Sequence, residues 1–274
     1  MPRLANLLVE GVSIGGLETC LDLPEWKLAF DLGRCPDFAV NRPTILFTHA
    51  HMDHMGGVAW HAATRHLRRL GAPTYIVPRE NEAAFAELFE VWRKLDKSQL
   101  EHRLVAIGPG EEFVLPNKLI VRPFRSYHRV PCQGYALWSR RRKLKPEHLG
   151  KSQHELRALR ESDEPAFDTL ETPEFAFTGD TLIEVVERTE VVRKARVLAM
   201  EVTFLDDLVS VPQCRDKGHI HLEEVLERAD LFENEALLFT HFSTRYSPER
   251  VLEILEKRLP SVLRGRVTAL LPQA

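Results

Sequence analysis

Short runs of apolar and β-branched residues alternate along this chain with longer stretches of helical periodicity, and most runs give way to a polar loop. Leu7 to Val12, Leu28 to Asp31 and Thr44 to Thr48 (TILFT) read as strands. The apolar spacing of VAWHAATRHLRRLG, closed by Gly71, predicts a helix. Pro73 to Pro78 predicts another strand, and Ala83, Phe85, Leu88, Phe89 and Trp92 form the apolar stripe of a helix over Arg79 to Leu95. From Leu104 to Ser126 apolar runs alternate with Gly-Pro and Pro-Asn turns, which predicts a meander. Arg140 to Thr172 is polar and charge-rich and reads as an insertion between core elements, with a short helix near Gln153 to Leu159. The alternation then resumes. Strands are predicted at Phe175 to Phe177, Val197 to Met200 and Ala236 to Thr240, and helices at Leu182 to Glu187 and Leu222 to Ala229. A last helix opens with Ser247 as N-cap and Pro248 in its first turn.

Strands that run into loops and are covered by helices predict a layered α/β architecture with its chemistry at one sheet edge. The whole chain, residues 1–274, is expected to form one domain. With 44% hydrophobic and 28% charged residues the composition is that of a folded soluble protein. The net charge of −3 gives no global attraction to phosphate backbones, so any nucleic-acid contact must be local. No run approaches a membrane span and the first residues lack the apolar core of a secretory leader, so a cytoplasmic protein with no membrane partner is expected. Cys20, Cys35, Cys132 and Cys214 are dispersed and form no CxxC pair, which argues against a disulfide scaffold or a cysteine zinc knuckle.

The histidines change the picture. Directly after TILFT comes His-x-His-x-Asp-His, given by His49, His51, Asp53 and His54. Imidazole suits zinc, and a tight loop lets residues at i and i+2 converge on one ion while the Asp-His pair addresses a second. TILFTHAHMDHMGG resembles the metallo-β-lactamase superfamily motif. YHRVPCQGY with His128, FTGDT with Asp180, and HFSTRY with His241 are similar in order and setting to the ribonuclease Z branch. The resemblance runs from about Val12 to Tyr246.

That resemblance implies an αββα sandwich of two mixed sheets flanked by helices, carrying two Zn2+ per chain, with Mn2+ or Fe2+ as alternatives. It implies that His49, His51 and His128 bind the first ion, that Asp53, His54 and His241 bind the second, and that Asp180 bridges them. A carboxylate suits the bridging task, since two ions about 3.5–4 Å apart can share one. MEVTF and KGHIH resemble the elements in which a glutamate orients a histidine that protonates the departing sugar oxygen, which implies that role for Glu201 and His219. Asp53 is counted with these two as catalytic. Met200 departs from the family, which usually has His there, and His219 could also be a solvent-facing residue at a helix start, as could His221.

The implied activity is that of a phosphodiesterase or endoribonuclease, with a tRNA precursor as the possible RNA substrate and a homodimer as the possible assembly. A hydrolase of a carboxylic substrate, such as a lactone or thioester, and a non-enzymatic RNA-binding relative are the competing readings. Arg245 could fork onto a substrate phosphate or serve a structural ion pair. The run Ser139 to Lys145 (SRRRKLK) could steer an RNA backbone or be a solvated loop. The Gly- and Pro-rich arm by which short ribonuclease Z enzymes grip tRNA is not legible between Gly71 and Leu104, where a helix is expected instead.

Overall fold

The computed structural model describes residues 3–152, 154, 155 and 167–272. Among these, two mixed sheets of seven strands face one another. The first runs in the order Phe242–Ser243, Glu10–Gly15, Glu18–Leu23, Leu28–Phe30, Thr44–Leu46, Thr74–Pro78, Arg103–Ile107, and its last four strands are parallel. The second runs Val267–Ala269, Ala236–Thr240, Val197–Glu201, Phe167–Phe177, Gln133–Leu144, Ile120–Arg125, Phe113–Val114. Its first four strands are parallel and the rest antiparallel.

The two-residue alternation of each strand sorts its side chains between layers. Leu28, Phe30, Leu46 and Ile76 point between the sheets, where they meet Tyr135, Leu137, Phe175, Phe177, Val197, Ala199 and Leu238. Phe30 sits at the centre, with ring centroids 5.7 Å from Phe175 and 5.3 Å from Phe177. Ala29, Ile45, Phe47, Tyr75 and Val77 point the other way, against Val58, Ala62, Phe85 and Phe89 of the helices Val58–Leu67 and Glu82–Asp96. Leu198, Met200, Leu237 and Phe239 cover the outer face of the second sheet. They pack on Val185, Val192, Val225, Val251 and Leu255 of the helices Glu184–Arg188, Glu190–Lys194, Leu222–Leu226 and Pro248–Arg258. The result is the expected αββα sandwich.

Two segments differ from the sequence reading. The expected meander is split. Arg103–Ile107 pairs with Thr74–Pro78 in the first sheet, and the Gly108–Gly110 turn carries the chain to the second, where Phe113–Val114 begins. The flanks of the polar insertion are strands, because Arg140 to Leu144 pair with Glu171 to Phe167. Neither flank has another strand beside it, so they form a two-stranded ribbon continuing beyond the sheet. Its residues are polar because both faces meet water, a pattern that mimics a loop. Most of the expected helix near Gln153 to Leu159 lies outside the described residues. The helix Glu82–Asp96 stands where the gripping arm was sought. No helix among the described residues is long and apolar enough to cross a membrane.

Candidate metal centre

The carboxyl ends of the parallel strands meet at one edge of the sandwich, and loops leaving them carry the candidate side chains. Thr48 and His49 follow Thr44–Leu46. His51 precedes the one-turn helix Met52–Met55, which holds Asp53 and His54. His128 follows Ile120–Arg125, Asp180 follows Phe167–Phe177, and Glu201 ends its own strand. His241 occupies the step between Ala236–Thr240 of the second sheet and Phe242–Ser243 of the first. Its φ of 62° is uncommon for a residue with a Cβ and turns the chain from one layer to the other.

All seven residues expected to hold metal come together. His49, His51, His128 and Asp180 offer donor atoms within 4.8 Å of one another, as do Asp53, His54 and His241. His49 Nε2 lies 3.1 Å from His51 Nδ1, which is 3.4 Å from His128 Nε2. His54 Nε2 lies 3.4 Å from His241 Nε2, and both stand within 3.7 Å of Asp53 Oδ2. Asp180 reaches both groups with different oxygens. Its Oδ2 is 3.8 Å from His49 Nε2 and 4.0 Å from His128 Nε2, whereas its Oδ1 is 3.3 Å from His54 Nε2 and 3.5 Å from His241 Nε2. Tetrahedral donors at zinc distances stand about 3.3–3.4 Å apart, so this spacing is that of two ligand shells sharing one carboxylate.

Hydrogen bonds behind the rings test that fit. His54 donates its Nδ1 proton to Asp31 Oδ2 at 2.8 Å, and His128 donates to the Gly218 carbonyl at 2.8 Å. His49 Nδ1 lies 3.0 Å from Thr48 Oγ1, whose own proton goes to Asp31 Oδ2. His241 Nδ1 lies 3.0 Å from Thr203 Oγ1, whose proton goes to Glu201 Oε2. Each of these four rings is thereby fixed with its Nδ1 protonated and its Nε2 lone pair aimed at the centre, whereas His51 presents Nδ1 there. Four lone pairs converge in a largely buried space, which is unfavourable unless a cation lies between them.

The electrostatics agree. Burial lowers His49 well below the usual imidazole range, and the charge of His54 adds to this. At His54 burial opposes the charge, but Asp180 and Asp31 overcome it and raise the ring well above that range. Burial likewise opposes ionisation of Asp180, and His241 and His54 hold it well below the carboxylate range. Positive charge is therefore favoured between Asp180 and the histidines.

Beside the cluster, Glu201 Oε1 accepts from His219 Nδ1 at 3.0 Å, and His219 Nδ1 is 3.9 Å from Asp180 Oδ2. Glu201 is buried and held by the Thr181 and Ile220 amides. Burial would lower the His219 pKa, but the charge and hydrogen bond of Glu201, with Asp180 behind, raise it to about 9. His221 is separated from this pair in role. It caps the helix Leu222–Leu226, accepting from the Glu223 amide and donating from Nε2 to the Asp206 carbonyl. Met200 points into the outer apolar layer, away from the cluster, so its departure from the usual His removes nothing from the site.

Arg245 is exposed, lies 6.0 Å from the Phe204 ring, and lines an open cleft of about 340 Å³ with Lys217, His219 and His241. It has no ion-pair partner among the described residues. The basic run is placed otherwise. Gln133 donates its amide to Thr48 O beside the cluster, and the strand from there carries Arg140 to Lys143 toward the opposite end of the sheet, where Arg140 pairs with Glu171 and Glu112. A larger cavity of about 530 Å³, lined by Trp26, Arg141 and Arg196, also lies at that far end, beside Val197 at the start of the strand that ends in Glu201.

Sequence reasoning missed Asp31, Thr48, Thr203 and Gly218, which fix the rings. Asp31 carried a usable signal, an acidic residue ending an apolar strand. It is fully buried and accepts from the Thr48 amide, the Thr48 hydroxyl and His54.

Comparison with known proteins follows the same lines. Residues 40–242 match the Beta-lactamase superfamily domain. A tRNase Z of Arabidopsis thaliana, TRZ1, is 46% identical over 264 residues, covering 96% of this chain and 94% of the relative. The chloroplastic tRNase Z TRZ2 of the same plant is 36% identical over 257 residues, covering 93% and 73%. Among solved structures, the short form of human tRNase Z superposes with a TM-score of 0.59 at 17% identity, covering 86% of this chain and 93% of that one, a likeness of fold.

Proposed function

Because the chain belongs to the ribonuclease Z branch of the metallo-β-lactamase superfamily and is a metal-dependent hydrolase of that kind, we propose that it cleaves RNA phosphodiesters, with a tRNA precursor as substrate and two zinc ions as cofactors. The observation that carries the reading is the Glu201–His219 pair set against Asp180 and its two ligand groups.

His49, His51, His128 and Asp180 would hold one ion, and Asp53, His54, His241 and Asp180 the other. Ions bound there would acidify water and polarise the phosphoryl oxygens. Asp53 is fixed by the Gly16 amide, 3.0 Å from its Oδ2, so its carboxylate stays turned toward the centre. Water attacks phosphorus, the bond from phosphorus to the departing sugar oxygen breaks, and His219 gives that oxygen a proton. Glu201 keeps the His219 ring oriented, and its charge keeps the proton on the ring until transfer. Arg245 and Lys217, on the rim of the same cleft, would meet phosphate oxygens. An alkoxide is a poor leaving group, so a dedicated acid favours a phosphodiester over a thioester, whose thiolate leaves without a proton.

The proposal extends to a homodimer, supported by exposed Val91, Trp92 and Leu95 on the helix Glu82–Asp96, and to a cytoplasmic location. Metal analysis combined with cleavage of precursor tRNA bearing a 3′ trailer tests the whole reading. In His219→Ala, RNA cleavage should fall about 10²- to 10⁴-fold. Hydrolysis of bis-p-nitrophenyl phosphate, whose leaving group needs no proton, should fall far less. Equal losses on both substrates, or protein that binds no metal, would overturn it.

A further inference from the structure

The cluster opens onto two clefts that share Gly16. One holds His219, Phe204, Lys217 and Arg245. The other, about 440 Å³, lies on the Asp53 side and is lined by Leu17, Arg34, Met52, Asp53 and Trp60. Three of these are large apolar side chains left in water beside a polar centre: Met52 is 78% exposed, Trp60 66% and Leu17 42%. None is needed for the core. Met52 begins the one-turn helix that carries Asp53, and Trp60 stands in the first turn of the next, Val58–Leu67, so both are fixed relative to the cluster. Gly56 and Gly57 form part of the floor. A Cβ on Gly57 would lie 2.6 Å from the Cys35 amide, and one on Gly56 would lie 2.5 Å from the Met52 carbonyl, so the floor is tight backbone.

Arg34 stands on the rim. Its charge is felt by half-buried Glu18, yet no carboxylate lies within ion-pair distance of its guanidinium among the described residues. An exposed indole, a flexible thioether and an uncommitted guanidinium beside a phosphodiester site form a platform for one nucleotide, the ring for the base and the cation for a phosphate.

We propose that the Trp60–Met52–Leu17–Arg34 cleft is the subsite for the nucleoside that stays on the scissile phosphate. The inference rests on the proposed phosphodiesterase activity and deepens it. His219 belongs to the other cleft, so the oxygen it protonates, and the nucleoside that leaves with that oxygen, lie there. The nucleoside retaining the phosphate departs across Gly16 toward Asp53, where Trp60 is the ring positioned to stack on its base.

Three p-nitrophenyl phosphodiesters test this: those of uridine 5′-phosphate and uridine 3′-phosphate, which keep a nucleoside on the phosphate, and that of methyl phosphate, which does not. Wild-type enzyme should prefer at least one uridine ester over the methyl ester in kcat/KM. In Trp60→Ala that preference should fall roughly 5- to 100-fold, the range for one stacked base, and Trp60→Tyr should restore most of it. Inhibition by the matching uridine monophosphate should weaken in parallel in Trp60→Ala and Arg34→Ala. An unchanged preference in Trp60→Ala would overturn the subsite while leaving the phosphodiesterase reading intact. So would a Trp60→Ala defect that appears as loss of a dimer in sedimentation with preference unchanged, since the patch would then serve a second copy. Failure of the wild type on all three esters and on RNA would instead remove the activity on which the inference rests.

Discussion

Replacing Thr203 with Val tests the claim that hydrogen bonds behind the rings create the metal centre. The change is nearly isosteric at a buried position, and it removes one oxygen that serves two partners. His241 Nδ1–H loses its acceptor at 3.0 Å, and Glu201 Oε2 loses a donor. Glu201 Oε2 keeps the Ile220 amide, so the buried group left unpaired is His241 Nδ1–H, at a cost of about 1–3 kcal/mol. The His241 ring also becomes free to change tautomer, turning an N–H rather than a lone pair toward Asp53. Loss of such a partner typically weakens metal binding about 10- to 100-fold. The expected result is a second equivalent of zinc that binds at least tenfold more weakly, measured by competition with a chromophoric chelator, with the first equivalent little altered because His49 and His128 keep their Thr48 and Gly218 partners. Thr203→Ser, which retains the hydroxyl, should stay near wild type. Wild-type affinity for both equivalents in Thr203→Val would refute the argument that ring orientation is set from behind.

Two further outcomes are expected. Gly218 has φ of 81°, and a Cβ there would lie 2.8 Å from His128 Nδ1, so Gly218→Ala should displace the ring and weaken the first zinc equivalent by about tenfold or more, read in the same competition assay. His61 is fully buried between the Ala39 carbonyl and the Tyr75 hydroxyl, and burial, helped by Arg65, lowers its pKa from 6.5 to about 4. The unfolded chain therefore takes up the proton first, and this contribution to stability, complete above pH 6.5, is lost as pH falls toward 4. Between pH 7 and 4.5 the stability advantage of wild type over His61→Gln in urea unfolding should shrink by about 2–3 kcal/mol, and a constant advantage would contradict it.

The candidate cluster was legible because it is local or stands at strand ends. His49, His51, Asp53 and His54 occupy one loop, His241 directly follows a short apolar run, and Asp180 stands three residues past another. The groups that aim the rings were not legible. Thr203 and Gly218 are ordinary loop residues in sequence, Asp31 shows only as an acid ending an apolar strand, and their partners lie 38, 90 and 23 positions away. The ribbon formed by Arg140 to Leu144 and Phe167 to Glu171 was hidden for another reason. A two-stranded element wet on both faces has no buried side to impose alternation, so charge density reads as loop. The meander failed because periodicity reports strands without reporting which sheet receives them.

The two ligand groups do not belong to separate layers. His49 to His54 hang from the first sheet, His128 and Asp180 from the second, and His241 sits on the stride between them. Any cation gripped there acts as a clasp across the mouth of the sandwich. Its binding energy is drawn on only when the sheets are docked, so at a free concentration a thousandfold above Kd it would add about 4 kcal/mol to their association. Occupancy of the centre and closure of the mouth would then be a single thermodynamic event, and starvation for metal would loosen the architecture at the edge where the proposed RNA substrate would be held.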